Sequence, residues 1–99
     1  MIKIHSVHFD SDKKLENFIE TKVNKLIKYD NDIIGAEIFL RIEKSQEKDN
    51  KVAEIRLEVP GYDLFAKKQS NTFEAAADIA VDALRIQLKK YKGKKDNKK

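Results

Sequence analysis

Ninety-nine residues are enough for one domain and not two. Apolar residues make up 40% and charged residues 38%, which admits a packed core and excludes wholesale disorder, while the absence of cysteine excludes disulfides and thiolate metal sites. The net charge of +4 is unevenly spread: residues 1–84 hold 13 Lys/Arg against 16 Asp/Glu, and residues 85–99 hold 8 against 1. A strongly basic terminal segment attached to a mildly acidic body either seeks a polyanion, most often nucleic acid, or serves as a solubilising tail. From Met1 onward no apolar stretch is long enough for a signal peptide or a membrane span, so a cytoplasmic protein with no membrane partner is expected.

Residues 2–9, IKIHSVHF, read as a strand with Ile2 and Ile4 on one face. Asp10, Ser11 and Asp12 are candidate N-caps for the segment that follows. In that segment Leu15, Phe18, Ile19, Val23, Leu26 and Ile27 recur at helical spacing, which predicts a helix from about Lys13 to Tyr29. Lys22, Lys25 and Lys28 lie beside its apolar stripe.

Asp30-Asn31-Asp32 breaks the helix, and IIGAEIFLRIE then alternates. Ile34, Ala36, Ile38, Leu40 and Ile42 oppose Glu37, Phe39, Arg41 and Glu43, as in a strand with one buried face. Residues 44–50 are polar and predict a loop. KVAEIRLEV alternates again and stops at the Pro60-Gly61 turn. YDLFAKKQS is short and lysine-bearing, which suits an edge strand. Asn71 and Thr72 are the next candidate caps, with Glu74 three residues after Asn71 as in a capping box.

The last helix carries Phe73, Ala76, Ala77, Ala80, Leu84, Leu88 and Tyr91 on one stripe. That period does not slip through Tyr91, so the basic segment should be helical and docked as far as about Lys92. Gly93 is the expected stop, leaving residues 1–93 as the domain and 94–99 as a basic flexible tail. The order β-α-β-β-β-α predicts a single α+β domain with a four-stranded mixed sheet and both helices packed on one face.

Candidate chemistry is sparse. Asp30-Asn31-Asp32 with Gly35 begins like a calcium loop, but Ile34 and Arg41 stand where two ligands are needed. His5 and His8, three apart on a strand, point to opposite faces and cannot share a metal. There is no phosphate-cradling glycine loop and no activated-nucleophile motif. No enzyme, cofactor, metal or small-molecule substrate is therefore expected. Phe39 and Phe65 point to the open sheet face, where Glu37, Glu54 and Glu58 would repel a phosphate chain, so cross-strand packing is their expected role.

Two basic sets remain: Lys22, Lys25 and Lys28 on the first helix, and Arg85, Lys89, Lys90 and Lys92 on the last. If the helices lie side by side, the sets merge into one positive surface, with Glu74, Asp78 and Asp82 at the other end of the last helix. Lysines with few aromatics among them suggest contacts to phosphate and shape more than to bases.

The strand order, with VPGYDLFAKKQSNTFEAAADIAVDALRIQLKKYKGK, resembles the ribosome hibernation promoting factor and ribosome-associated inhibitor family. The Leu64-x-Ala66 strand, the run from Asp82 through Gln87-Leu88 to Lys90 and Lys92, and Lys22, Val23, Lys25, Leu26, Lys28 and Tyr29 carry the likeness, which spans essentially the whole chain. It implies a domain that binds the small ribosomal subunit and its rRNA in the channel for messenger and transfer RNA, inhibits translation, and promotes hibernation under stress or in stationary phase. The RNA contacts it implies are Lys22, Lys25, Lys28, Lys90 and Lys92. Many members have Asp-Met-Tyr where this chain has Thr72-Phe73-Glu74, and basic residues at the positions of Ala83 and Ile86. The chain resembles the short forms, some of which favour ribosome dimers and some oppose them, so association with dimers is among the partners implied. Two other readings stay open on the residues alone: a general double-stranded RNA-binding domain, and a protein-protein adaptor with a solvated basic tail.

Overall fold

Apolar spacing and local caps account for most of the secondary structure. The computed structural model describes residues 2–7, 9–43 and 49–96, with the side chains of the last helix described as far as Lys92. The elements are β1 (Ile2–Val7), α1 (Lys13–Tyr29), β2 (Gly35–Ile42), β3 (Lys51–Val59), β4 (Tyr62–Ser70) and α2 (Phe73–Asp96). α1 occupies the predicted span. It starts where the Asp12 carboxylate accepts the Leu15 backbone N–H at 2.8 Å, satisfying one of the orphan donors of the first turn. At its other end Asp30 donates its N–H to the Leu26 carbonyl, and its carboxylate accepts the Asp32 N–H at 3.0 Å. The Asp30-Asn31-Asp32 run is thus a helix exit.

Several boundaries differ from expectation. The capping box of Asn71 and Glu74 is not formed: Thr72 Oγ1 accepts the Ala75 N–H at 3.0 Å, so Thr72 is the N-cap and Glu74 lies one residue too early to reach back. Gly93 does not stop α2, which continues to Asp96. A helical glycine costs about 1 kcal/mol against alanine but removes no hydrogen bond. β1 ends at Val7 and β2 begins only at Gly35. His8 and most of the predicted 44–50 loop lie outside the described residues.

The sheet order is β1-β2-β3-β4. β1 and β2 are parallel, with α1 as the crossover between them, and the other neighbours are antiparallel. β4 is an edge strand, as its lysines suggested. In register, Ile4, Ile38, Ile55 and Ala66 line up across all four strands on one face. That face meets Leu15, Ile19, Val23 and Leu26 of α1 and Ala77, Ala80, Leu84 and Leu88 of α2 in one buried cluster. Both helices therefore cover the same side, and each large side chain so buried contributes roughly 1.5–3 kcal/mol relative to exposure. Pro60 and Gly61 close the β3–β4 hairpin between paired Val59 and Tyr62. Gly61 has φ +95°, a conformation that disfavours any residue with a Cβ.

Two pairs of contacts fix how the helices run. Lys22 of α1 meets Asp78 of α2, and seven residues further along α1, Tyr29 meets Lys92. The helices are therefore parallel, and their C-terminal ends share one end of the domain. Gln87 and Tyr91 of α2 meet Phe65 and Tyr62 of β4, so α2 runs opposite to β4 and its last turns return to the Pro60-Gly61 hairpin.

Candidate nucleic-acid interface

The seam between α1 and α2 gathers most of the predicted cations. Lys22 and Tyr29 mark the flank of α1 that faces α2. Lys25 lies three residues after Lys22 and four before Tyr29, so it shares that flank, and Lys28 borders it. On α2, Lys92 reaches across with its ammonium 5.2 Å from the centre of the Tyr29 ring. Lys89 and Arg85, three and seven residues earlier, stand on the same flank. Lys25, Lys28, Arg85 and Lys89 are exposed. Lys28 lies in the last turn of α1, where the negative end of the helix dipole favours its ammonium group by a few tenths of a kcal/mol.

Not all seven predicted residues are equivalent. Lys22 Nζ lies 3.1 Å from the Asp78 carboxylate, and Arg85 lies 3.2 Å from Asp82. These pairs are solvent-exposed and weak, but they offset charge that would otherwise face outward. Lys25, Lys28, Lys89 and Lys90 form no ion pair with another described residue. Two positions along a helix is more than half a turn, so Lys90 points away from Lys92, toward the flank where Gln87 donates to the Phe65 carbonyl of β4 at 2.8 Å. The merged surface consists of Lys25, Lys28, Lys89 and Lys92, with Lys22 and Arg85 at its neutralised margin and Lys90 on the opposite flank.

The open sheet face has a different character. Arg56 bridges Glu37 at 2.6 Å and Asp63 at 3.0 Å, His5 Nε2 lies 2.8 Å from Glu37, and Arg41 pairs with Glu54. The Arg56 hydrogen bond, and then that of His5, holds the Glu37 carboxyl below its ordinary range, and Glu37 raises Arg56 in return. The Phe39 ring stacks on His5 with centres 4.8 Å apart, which is the expected cross-strand packing, whereas Phe65 remains 49% exposed. Cations on this face are interleaved with carboxylates, so it lacks the single sign that a phosphate chain would need. Among the described residues no group of histidines and carboxylates could hold a metal ion, and no helix is long and apolar enough to cross a membrane.

One set of residues escaped the sequence reading. The chain has three tyrosines, Tyr29, Tyr62 and Tyr91, in three different elements. The fold brings all of them to the end where α1 and α2 terminate. Tyr91 is buried and meets the edge of Tyr62, ring centres 5.5 Å apart, while its neighbour Lys92 covers Tyr29. Tyr29 and Tyr62 are 44% and 51% exposed. Tyr29 therefore borders the cationic seam, while Tyr62 lies on the β4 side of α2. The signal available was slight: Tyr29 closes a helix and Tyr62 follows a Pro-Gly turn.

Fold and seam together define a small single-domain α+β protein whose charge is concentrated on a parallel helix pair. The chain belongs to the family described as Sigma 54 modulation protein / S30EA ribosomal protein, whose model matches residues 2–96. It is 26% identical over 96 residues to a ribosome hibernation promoting factor of Pseudomonas putida, covering 97% of this chain and 90% of that protein. It is 32% identical over 80 residues to the ribosome hibernation promotion factor of Deinococcus radiodurans, covering 79% of this chain and 41% of that longer protein. Among solved structures, a ribosomal subunit interface protein from Coxiella burnetii superposes with a TM-score of 0.82 at 23% identity, over 93% of this chain and 97% of that one. The N-terminal domain of Thermus thermophilus Protein Y gives 0.76 at 24% identity, over 90% and 94%. The expected kinship with ribosome hibernation factors and the expected β-α-β-β-β-α architecture are both established by these likenesses.

Proposed function

We propose that this protein binds the small ribosomal subunit through its rRNA, occupies the channel used by messenger RNA and transfer RNA, and inhibits translation by overlap, keeping ribosomes in hibernation under stress or in stationary phase. The observation that carries the reading is the convergence of Lys25, Lys28, Lys89 and Lys92 at the shared end of two docked helices, in a chain whose family and relatives carry ribosomal names. A cationic surface held on a rigid scaffold orients a domain on RNA, where a loose tail would only attract it. Residues 1–93 serve as the binding domain, and residues 94–99 add four further lysines to the basic segment. The relatives are named as hibernation factors and no catalytic activity is indicated, so the protein acts as a binder. Its place is the cytoplasm, with the ribosome.

The test is co-sedimentation with purified small subunits, empty or already carrying messenger RNA and initiator transfer RNA. Retention on empty subunits and loss on occupied ones is the expected result. Equal retention on both would defeat the overlap mechanism. Excess duplex RNA added as competitor should displace little of the bound protein. Full displacement would favour a general double-stranded RNA binder.

A further inference from the structure

We infer that the end of the domain where α1 and α2 terminate is a stacking site for unpaired RNA bases, with Tyr29 and Tyr62 as the platforms and the seam lysines as the phosphate contacts. This rests on the RNA-binding reading above and adds to it the class of RNA that the site takes.

The inference starts from where the aromatics lie. A tyrosine at a surface is ordinarily half covered by its neighbours and needs no special role. Here Tyr29 and Tyr62 flank α2 on its two sides one turn before its end, each tied to it by a consecutive residue: Lys92 to Tyr29 and Tyr91 to Tyr62. The rings are held in place by these contacts, yet about half of each residue stays open to water. The Lys92 ammonium over Tyr29, with Lys25 one turn before it, puts positive charge beside that ring. Aromatic faces interleaved with lysines along a groove are how proteins hold single-stranded nucleic acid, since every base has a face to stack and every phosphate a charge to meet. An A-form duplex keeps its bases stacked on one another, and its recognition needs no aromatic. An open ring on each side of α2, Tyr29 beside Lys92 and Lys25 on the seam and Tyr62 on the flank that carries Lys90, therefore points to unpaired RNA. The open sheet face offers Phe65 as well, but beside Arg56 and Asp63, which are bonded to each other.

The probe is a 12-nucleotide RNA of mixed sequence without self-complementarity, used alone and annealed to its complement. Binding is read by anisotropy of an end label. It is read independently by tyrosine emission, observable because the chain has no tryptophan. The single strand should bind about tenfold or more tighter than the duplex and should quench the tyrosine signal. Tyr29→Leu and Tyr62→Leu should each weaken single-strand binding about tenfold, leave duplex binding within a factor of two, and keep the salt dependence unchanged. Tyr29→Phe should bind as the native protein does. Thermal melting of each variant identifies those that fail to fold, and emission quenching in the native protein tests the proposal without any substitution. Preference for the duplex, absent quenching, or equal losses on both probes would overturn the stacking site. If these occur while small subunits still retain the protein through its lysines, the ribosome reading survives alone. If the native protein binds neither subunits nor RNA, both readings fall.

Discussion

The strongest quantitative consequence concerns salt. Of the four seam lysines, Lys25, Lys28 and Lys89 are exposed and Lys92 lies over Tyr29; none has a carboxylate partner among the described residues, whereas Lys22 is held 3.1 Å from Asp78. Each phosphate contact releases condensed counterions, and affinity falls with salt at a logarithmic slope of about −0.7 to −0.9 per contact. Four contacts give a slope of about −3, so raising salt from 50 to 200 mM should weaken binding about 60-fold. Lys28→Gln with Lys89→Gln removes two of the four. The slope should drop to about −1.5 and the fourfold rise in salt should then cost only about eightfold. Both side chains are exposed and unpaired, so stability should stay within about 0.5 kcal/mol of the native protein. Lys22→Gln is the internal control. Lys22 is already neutralised by Asp78 and is not one of the four phosphate contacts, so its effect on the slope should be less than that of Lys89→Gln. The assay is binding to small subunits, or to the RNA probe, across a series of potassium chloride concentrations. A slope that the double variant leaves unchanged, or a Lys22 effect as large as that of Lys89, would refute the assignment of contacts.

Other outcomes follow from the packing and the backbone. Leu88 is fully buried near the end of α2, so Leu88→Ala should lower unfolding free energy by about 2–5 kcal/mol in urea and loosen the turn that carries Lys89 and Lys92. Gly61→Ala adds a Cβ that meets no atom within 4 Å, so its cost is conformational alone, about 1–2 kcal/mol by the same measurement. Glu37 is held below its ordinary value near 4.5 by Arg56 and His5, so the unfolded chain binds its proton more readily. Its contribution is complete above about that pH and is lost as pH falls through the lower folded value; Glu37→Gln should flatten this acid limb of the urea midpoint plotted against pH.

Much of the fold was legible because its elements repeat strictly. The stripe from Leu15 to Ile27 and the alternation in β2 and β3 each bury one face, and burial imposes those periods whatever the partner is. The same holds for Phe73 to Tyr91, whose unbroken spacing placed the basic segment on a docked helix. Termini were less legible, since they turn on one hydrogen bond or one residue's cost. Asn71 and Thr72 are both good caps, and only the geometry of the chain entering α2 selected Thr72. Gly93 is a common stop, but a stop requires that the backbone turn there, and the helix carries on.

The sequence by itself determined that this chain has two amphipathic helices, a half-buried sheet and a cationic end, because hydrophobic spacing and charge are properties of order along the chain. Tertiary structure alone decided that the helices run parallel and that Asp78 neutralises Lys22. It also decided that tyrosines at positions 29, 62 and 91 meet at one end. Those are matters of distance in space between residues up to sixty-two positions apart, and only a crossover, a hairpin and a shared core bring them within reach of one another.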